Sequence, residues 1–169
     1  MWYVLRCKQG EEQSILYSLK QHLSDRILKE AFVFTYDRMK RYHGQWHVES
    51  LAMFPNYIFL ESDYGEALSR ELEPYRGIVH VMEDHEILWQ VYSEEEKFLR
   101  FLCGQEHHLD LSRGYIRNGI THVNEGPLRG LENRIQKIDR HKRTARLQVP
   151  MEHRLAGTIL AGLEIVEKS

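Results

Sequence analysis

A chain of 169 residues has room for one domain or two small ones. Hydrophobic residues make up 42% of it, enough for a packed core, yet no run approaches the roughly 18 apolar residues of a membrane-spanning helix. The net charge of −2 conceals a contrast. Residues 1–112 hold 12 Lys and Arg against 19 Asp and Glu, a net −7, whereas residues 113–154 hold 10 against 4, a net +6. That is an acidic body with a basic module, and nucleic acid is the natural partner of the basic part.

The chain opens Met1-Trp2-Tyr3-Val4-Leu5-Arg6, with no basic region ahead of an apolar stretch and no small-residue cleavage site, so no signal peptide is expected. Cys7 and Cys103 form no recognisable framework, which suits a reduced, cytoplasmic protein. Trp2–Arg6 reads as a strand and is broken by Gly10. Ile15, Leu16, Leu19 and Leu23 recur at helical spacing, predicting an amphipathic helix over 11–23. Ala31–Tyr36, aromatic and branched, reads as a strand. Asp37–Gly44 is basic and reads as a solvated hairpin tip, after which Gln45–Met53 returns as a second strand.

The most apolar run of this half is Phe54-Pro55-Asn56-Tyr57-Ile58-Phe59-Leu60. Pro55 fits only the start or an edge of a strand, and Asn56 suits a turn or bulge. Ile58 and Leu60 then point to one sheet face and Tyr57 and Phe59 to the other. The expectation is that the Tyr57/Phe59 face is partly open, with Tyr3 and Leu5 beside it, and receives another protein. Asp63, as N-cap, with Glu66 starts a helix bearing Ala67, Leu68 and Leu72. Gly77–Met82 reads as a strand, and Ser93–Glu96 caps a helix carrying Phe98, Leu99 and Leu102. The order β-α-β-β-β-α-β-α fits an antiparallel sheet with helices on one side, an α+β arrangement over 1–104.

Residues 105–114 are polar and aperiodic and read as a linker. Over 115–169, glycines punctuate short segments, and Ala145, Leu147 and Val149 alternate with Thr144, Arg146 and Gln148. Short strands with frequent turns predict a small all-β barrel.

No catalytic motif is present: no Gly-x-Ser-x-Gly, no His-Glu-x-x-His, no phosphate-binding glycine loop with lysine and no Cys-x-x-Cys. An enzyme is not expected, nor a cofactor. Cys103, His107, His108 and Asp110 match no standard zinc spacing, so no metal site is expected. Cys7 reads as a small buried hydrophobe. The strongest polar feature is Asp139-Arg140-His141-Lys142-Arg143, with Arg129, Arg134, Lys137 and Arg146 nearby. These eight basic residues, between and beside two predicted strands, suit the phosphates of RNA. Asp139 should orient the turn. With only Tyr115 as an aromatic, groove contacts are favoured over base stacking.

With these residues in view, the chain resembles the NusG family of transcription elongation factors over nearly its full length. Trp2-Tyr3-Val4-Leu5 followed by Gly10-Glu11-Glu12 looks like the family's opening strand and helix. Phe54–Phe59 looks like its central motif, with Asn56 where many members have glycine. Arg76-Gly77-Ile78-Val79 is similar to the following turn and strand. Gly119–Asp139, containing Val123–Glu132 and Ile135–Asp139, looks like a KOW motif. The Lys137–Arg143 run is similar to the LoaP branch of the family, specialised antiterminators that read an RNA hairpin in the transcript leader.

The resemblance implies an N-terminal NusG domain that docks on the clamp helices of RNA polymerase through Tyr3, Leu5, Tyr57 and Phe59, and a C-terminal KOW barrel that meets other partners. It also implies action by binding rather than catalysis. Another specialised branch carries His-Thr-Thr after the central motif; this chain reads Glu66–Leu72 there, so that polymerase contact is not carried over. The favoured expectation is an antitermination factor holding polymerase and a nascent RNA hairpin. The alternatives are a general elongation factor whose barrel binds ribosomal or termination proteins, and a ribosome-associated KOW protein that binds RNA. No membrane partner is expected.

Overall fold

The computed structural model describes residues 1–150 and 154–169. In chain order the elements are β1 (Trp2–Arg6), α1 (Glu12–His22), β2 (Glu30–Phe32), β3 (Thr35–Tyr42), β4 (Gln45–Ala52), β5 (Tyr57–Glu61), α2 (Gly65–Glu71), β6 (Trp89–Gln90), α3 (Ser93–Cys103), β7 (His108–Leu109), β8 (Ser112–Arg117), β9 (Ile120–Glu125), β10 (Ile135–Asp139), β11 (Thr144–Gln148) and β12 (Thr158–Lys168). This mixture of helices and largely antiparallel sheets is α+β, the class expected. The elements gather into two compact units, one of Met1–Val33 with Phe54–Glu96, the other of Phe34–Met53 with Lys97–Ser169.

The first unit is built on a sheet of order β2-β5-β1-β6. The register pairs Tyr3 with Leu60, Val4 with Phe59 and Leu5 with Ile58. Directly paired residues share a face, so Tyr3, Leu5, Ile58 and Leu60 lie together. With Ile15, Leu16 and Leu19 of α1 and Leu68 and Leu72 of α2 they form one buried cluster. The helical spacing on α1 thus does what it predicts: its apolar stripe covers one side of the sheet.

Three expectations fail here. Ala31–Tyr36 is not one strand; it breaks at Val33–Phe34 into β2 and β3, which belong to different sheets. Gly77–Met82 forms no strand, and its only pairing is a single bridge from His80 to Arg6. The Ile78 and Val79 N–H groups are spent on the Tyr75 carbonyl, at 2.8 and 2.9 Å, closing a turn where a ladder would need them free. Trp89–Gln90 takes the sheet edge instead. Asp63 does not cap α2; the cap position is Tyr64, and Asp63 pairs with the Lys29 Nζ at 2.6 Å.

In the second unit, β3 and β4 form a hairpin closed by a two-residue turn, His43 at φ +52° and Gly44 at φ +72°. That double positive φ is the hairpin geometry that matches strand twist. The basic segment Asp37–Gly44 is therefore mostly strand rather than tip. β7 pairs in parallel with β3, giving the order β4-β3-β7. A five-stranded sheet follows, β10-β11-β12-β8-β9, with β12 and β8 parallel. Gly162 of β12 lies where β3 crosses: a Cβ there would overlap the Asp37 carbonyl oxygen and come within 2.8 Å of Leu111 Cδ1.

The reading of 105–114 as a polar linker is corrected. It contains β7 and the start of β8, and Leu109 and Ser112 are wholly buried. Polar side chains misled because they are used internally. The Thr35 hydroxyl and His108 Nδ1 are 2.7 Å apart, and His108 Nε2 lies 2.8 Å from Asp37 Oδ1. The Leu111 N–H donates to Asp37 Oδ2 at 3.0 Å.

Candidate nucleic-acid interface and aromatic sheet face

The charge contrast survives when the chain is divided as it folds. The first unit carries 7 basic against 15 acidic residues, net −8, and the second 16 against 10, net +6. Within the second unit the β10–β11 turn is set by Asp139, whose Oδ1 accepts the Lys142 N–H at 2.9 Å. That bond, with the Lys142 charge, holds the carboxyl below the usual Asp range despite some desolvation. The cap is therefore in place above the ordinary Asp range and is lost only as the pH falls through the lowered value. Asp139 orients the turn, as expected.

The eight basic residues proposed for RNA do not form one surface. Lys137, Lys142 and Arg146 line a recess of about 210 Å³ together with Arg38, Asp139, Thr144 and Leu160. Lys137 and Arg146 face each other directly across β10 and β11, and the Arg146 Nη1 donates to Thr158 Oγ1 at 3.2 Å. His141 lines a second recess with Lys142 and residues of β3 and β4, and Arg140 is exposed at the turn.

Arg143 borders that second recess through Trp46 and Met39 without lining it, and two others stand elsewhere. The Arg143 guanidinium stacks 3.8 Å above the Trp46 ring and pairs with Glu164 at 3.0 Å. Its backbone is left-handed, at φ +55°. The Arg134 guanidinium lies over Phe98 at 4.9 Å and donates to the Gln148 carbonyl at 3.3 Å. Both side chains make contacts within the fold. Arg129 is exposed on the loop after β9 and lines neither recess.

What the sequence reading missed is β3. Arg38, Lys40 and Arg41 of that strand line the second recess with His141 and Lys142, and Arg38 lines both. The available signal was the basic run itself, set aside as a solvated turn.

The four residues assigned to polymerase are also divided. Tyr3 and Leu5 belong to the helix-covered core and are 7% and 0% exposed. Tyr57 and Phe59 lie on the opposite face, so Tyr3 and Leu5 are not beside them. Trp2 and Phe32 are the neighbours instead: Phe32 stacks on Phe59 with centroids 5.6 Å apart, and Trp2 meets both edge-on. Phe59 is wholly buried, contrary to the expectation of an exposed ring, and Tyr57 is half-buried. Asn56, just before β5, has φ +76°, and its carbonyl accepts the Cys7 N–H at 2.8 Å.

Among the described residues, one group of metal-ligand type converges, Asp37, His108 and Asp110. Both ring nitrogens of His108 already face protein oxygens, so the group reads as the clip that holds β7 to β3. Cys103 and His107 are not part of it. Burial pushes the Cys7 thiol up to about 11 and the Cys103 thiol up to about 12, so neither is a thiolate near neutral pH. No helix among the described residues is long and apolar enough to cross a membrane.

The family model described as transcription termination factor NusG matches residues 1–102. The chain belongs to the NusG family. No curated protein matches it.

Proposed function

We propose that this chain is a specialised transcription elongation and antitermination factor of the LoaP kind. Its family domain, residues 1–104, binds the clamp helices of RNA polymerase. Its KOW module, residues 115–169 closing as a small barrel, binds a hairpin in nascent RNA. The factor works in the cytoplasm by binding, without catalysis or cofactor. The observation that carries the RNA half of this reading is the recess of Lys137, Lys142, Arg146 and Arg38, set in a unit of net charge +6. The polymerase half is supported by the family match and by Tyr57, half-exposed on the sheet face opposite α1 and α2. Tyr57 is the member of that face with exposed surface, and Phe59 supports it from within.

A general elongation factor, whose KOW module binds a ribosomal or termination protein, is favoured by a separate observation. Ile120, 61% exposed, borders a recess of about 410 Å³ with Ile135 and Ile138 on the outer strands of the five-stranded sheet. With three isoleucines, and Glu132 set against its one cation, Lys137, this mixed hollow suits a protein side chain better than a phosphate.

Copurification with RNA polymerase tests the docking assignment. Central aromatics typically carry about 2 kcal/mol or more, so Tyr57→Ala should lower association roughly thirtyfold while the chain stays folded. Undiminished copurification of the folded variant would remove Tyr57 from the interface.

A further inference from the structure

From the recess that β3 shares with the β10–β11 turn, we infer that RNA is held by a composite phosphate site, in which Arg38 from the first half of the chain acts with Lys137, Lys142 and Arg146 from the KOW module. The inference rests on the RNA-binding reading above and adds a partner strand to it.

Three observations carry it. The first is charge density: four cationic side chains line about 210 Å³ with a single carboxylate, Asp139. That carboxylate accepts the Lys142 N–H and offsets only one of the four positive charges, so the recess keeps a cationic excess. Lys137 and Arg146 are direct cross-strand partners, and like charges placed so are mutually destabilising. An anion between them relieves that repulsion.

The second is the state of Arg38. Its Nε is buried and has no hydrogen-bond partner among the described residues. A buried guanidinium N–H without an acceptor is costly, and a small shift of the Arg38 side chain into the recess it lines would let a phosphate oxygen supply the acceptor. Glu49 stands opposite Arg38 in the hairpin ladder, but its Oε2 is 3.5 Å from the Lys40 Nζ.

The third is continuity. Arg38 and Lys142 also line the adjoining recess of about 310 Å³, with Lys40, Arg41 and His141. Two adjacent basic hollows sharing two cations suit successive phosphates along a strand better than one isolated anion. A guanidinium fork and lysine ammonium groups are what a phosphodiester backbone requires.

The test is fluorescence anisotropy of the full-length chain with a labelled RNA stem–loop across a salt series. Arg38→Ala should weaken binding about tenfold or more, as loss of a charge-assisted hydrogen bond does. It should flatten the log–log salt slope by about 0.7 to 0.9. Lys142→Ala should behave alike, and Lys20→Ala on α1 should change nothing. Because Arg38 is partly buried, Arg38→Met is measured beside it, with amide exchange over β3 and β12 to show that packing is kept. A separate arm titrates inorganic phosphate alone and follows the Arg38 Nε–H resonance, which should move on saturation. If Arg38→Ala and Arg38→Met bind as wild type while Lys142→Ala is weakened, RNA sits on the KOW turn alone; the composite site is then wrong and the RNA-binding reading stands. If wild type binds no stem–loop, both fail together. If an acidic peptide displaces the RNA at equal charge concentration, the site is not selective for phosphate and the inference is overturned.

Discussion

Asn56 shows how much one backbone angle can decide. At φ +76° it sits where an L side chain is strained, and Asn and Gly are the residues that tolerate it. This gives a physical reason for glycine at the corresponding place in the family motif. Asn56→Gly should therefore leave stability within a few tenths of a kcal/mol, or raise it, since the buried Oδ1 has no hydrogen-bond partner among the described residues. Asn56→Val should cost about 1–2 kcal/mol or more, read by thermal melting. The turn was legible in the sequence because Pro55-Asn56 is turn chemistry. The fate of Phe59 was not. Strand alternation correctly separated it from Ile58 and Leu60, but alternation assigns a face without saying whether that face is open. The internal contacts of Arg143 and Arg134 were not legible for a related reason: a cation in a basic run carries no mark of the aromatic ring or carboxylate it will meet after folding.

At the scale of elements, the helices were the most legible part. Ile15, Leu16 and Leu19 announce α1, and Ser93 with its following glutamates marks the start of α3. The strands failed where ladder and burial part company. Val79 and Met82 are buried like strand residues, yet the chain around them closes a turn. The linker failed in the opposite sense, because Asp37, Thr35 and His108 spend their polar atoms on one another and hold β7 in place. The crossing of β3 over β12 depends on Gly162. Gly162→Ala must push the Asp37 carbonyl away, an overpacking that should cost about 1–3 kcal/mol. Because Arg38 is the next residue along β3, the same substitution should weaken RNA binding as well. Amide exchange over β3 and β12 should quicken in parallel; unaltered exchange and affinity would show that the crossing is looser than the Gly162 geometry implies.

For the whole molecule, the charge contrast was visible in the sequence and is carried through the fold, but its map was incomplete. A linear count places every basic residue of interest after Arg113. Folding brings Arg38, Lys40 and Arg41 to the same surface, from a segment that looked like an ordinary hairpin tip. No local pattern announces that kind of juxtaposition, since it depends on how a glycine in β12 lets β3 approach. The two functions proposed for the chain, polymerase binding and RNA binding, then rest on features of opposite character: the half-exposed Tyr57 over a buried aromatic cluster, and a basic recess. The most direct test of the account is the affinity of the chain for a stalled elongation complex, measured by band shift, with and without a stem–loop in the emerging transcript. The hairpin should tighten binding markedly, and an Arg38→Ala/Lys142→Ala double variant should lose that gain while keeping its affinity for the hairpin-free complex. Equal affinity for both complexes would contradict the claim that this factor holds polymerase and RNA together.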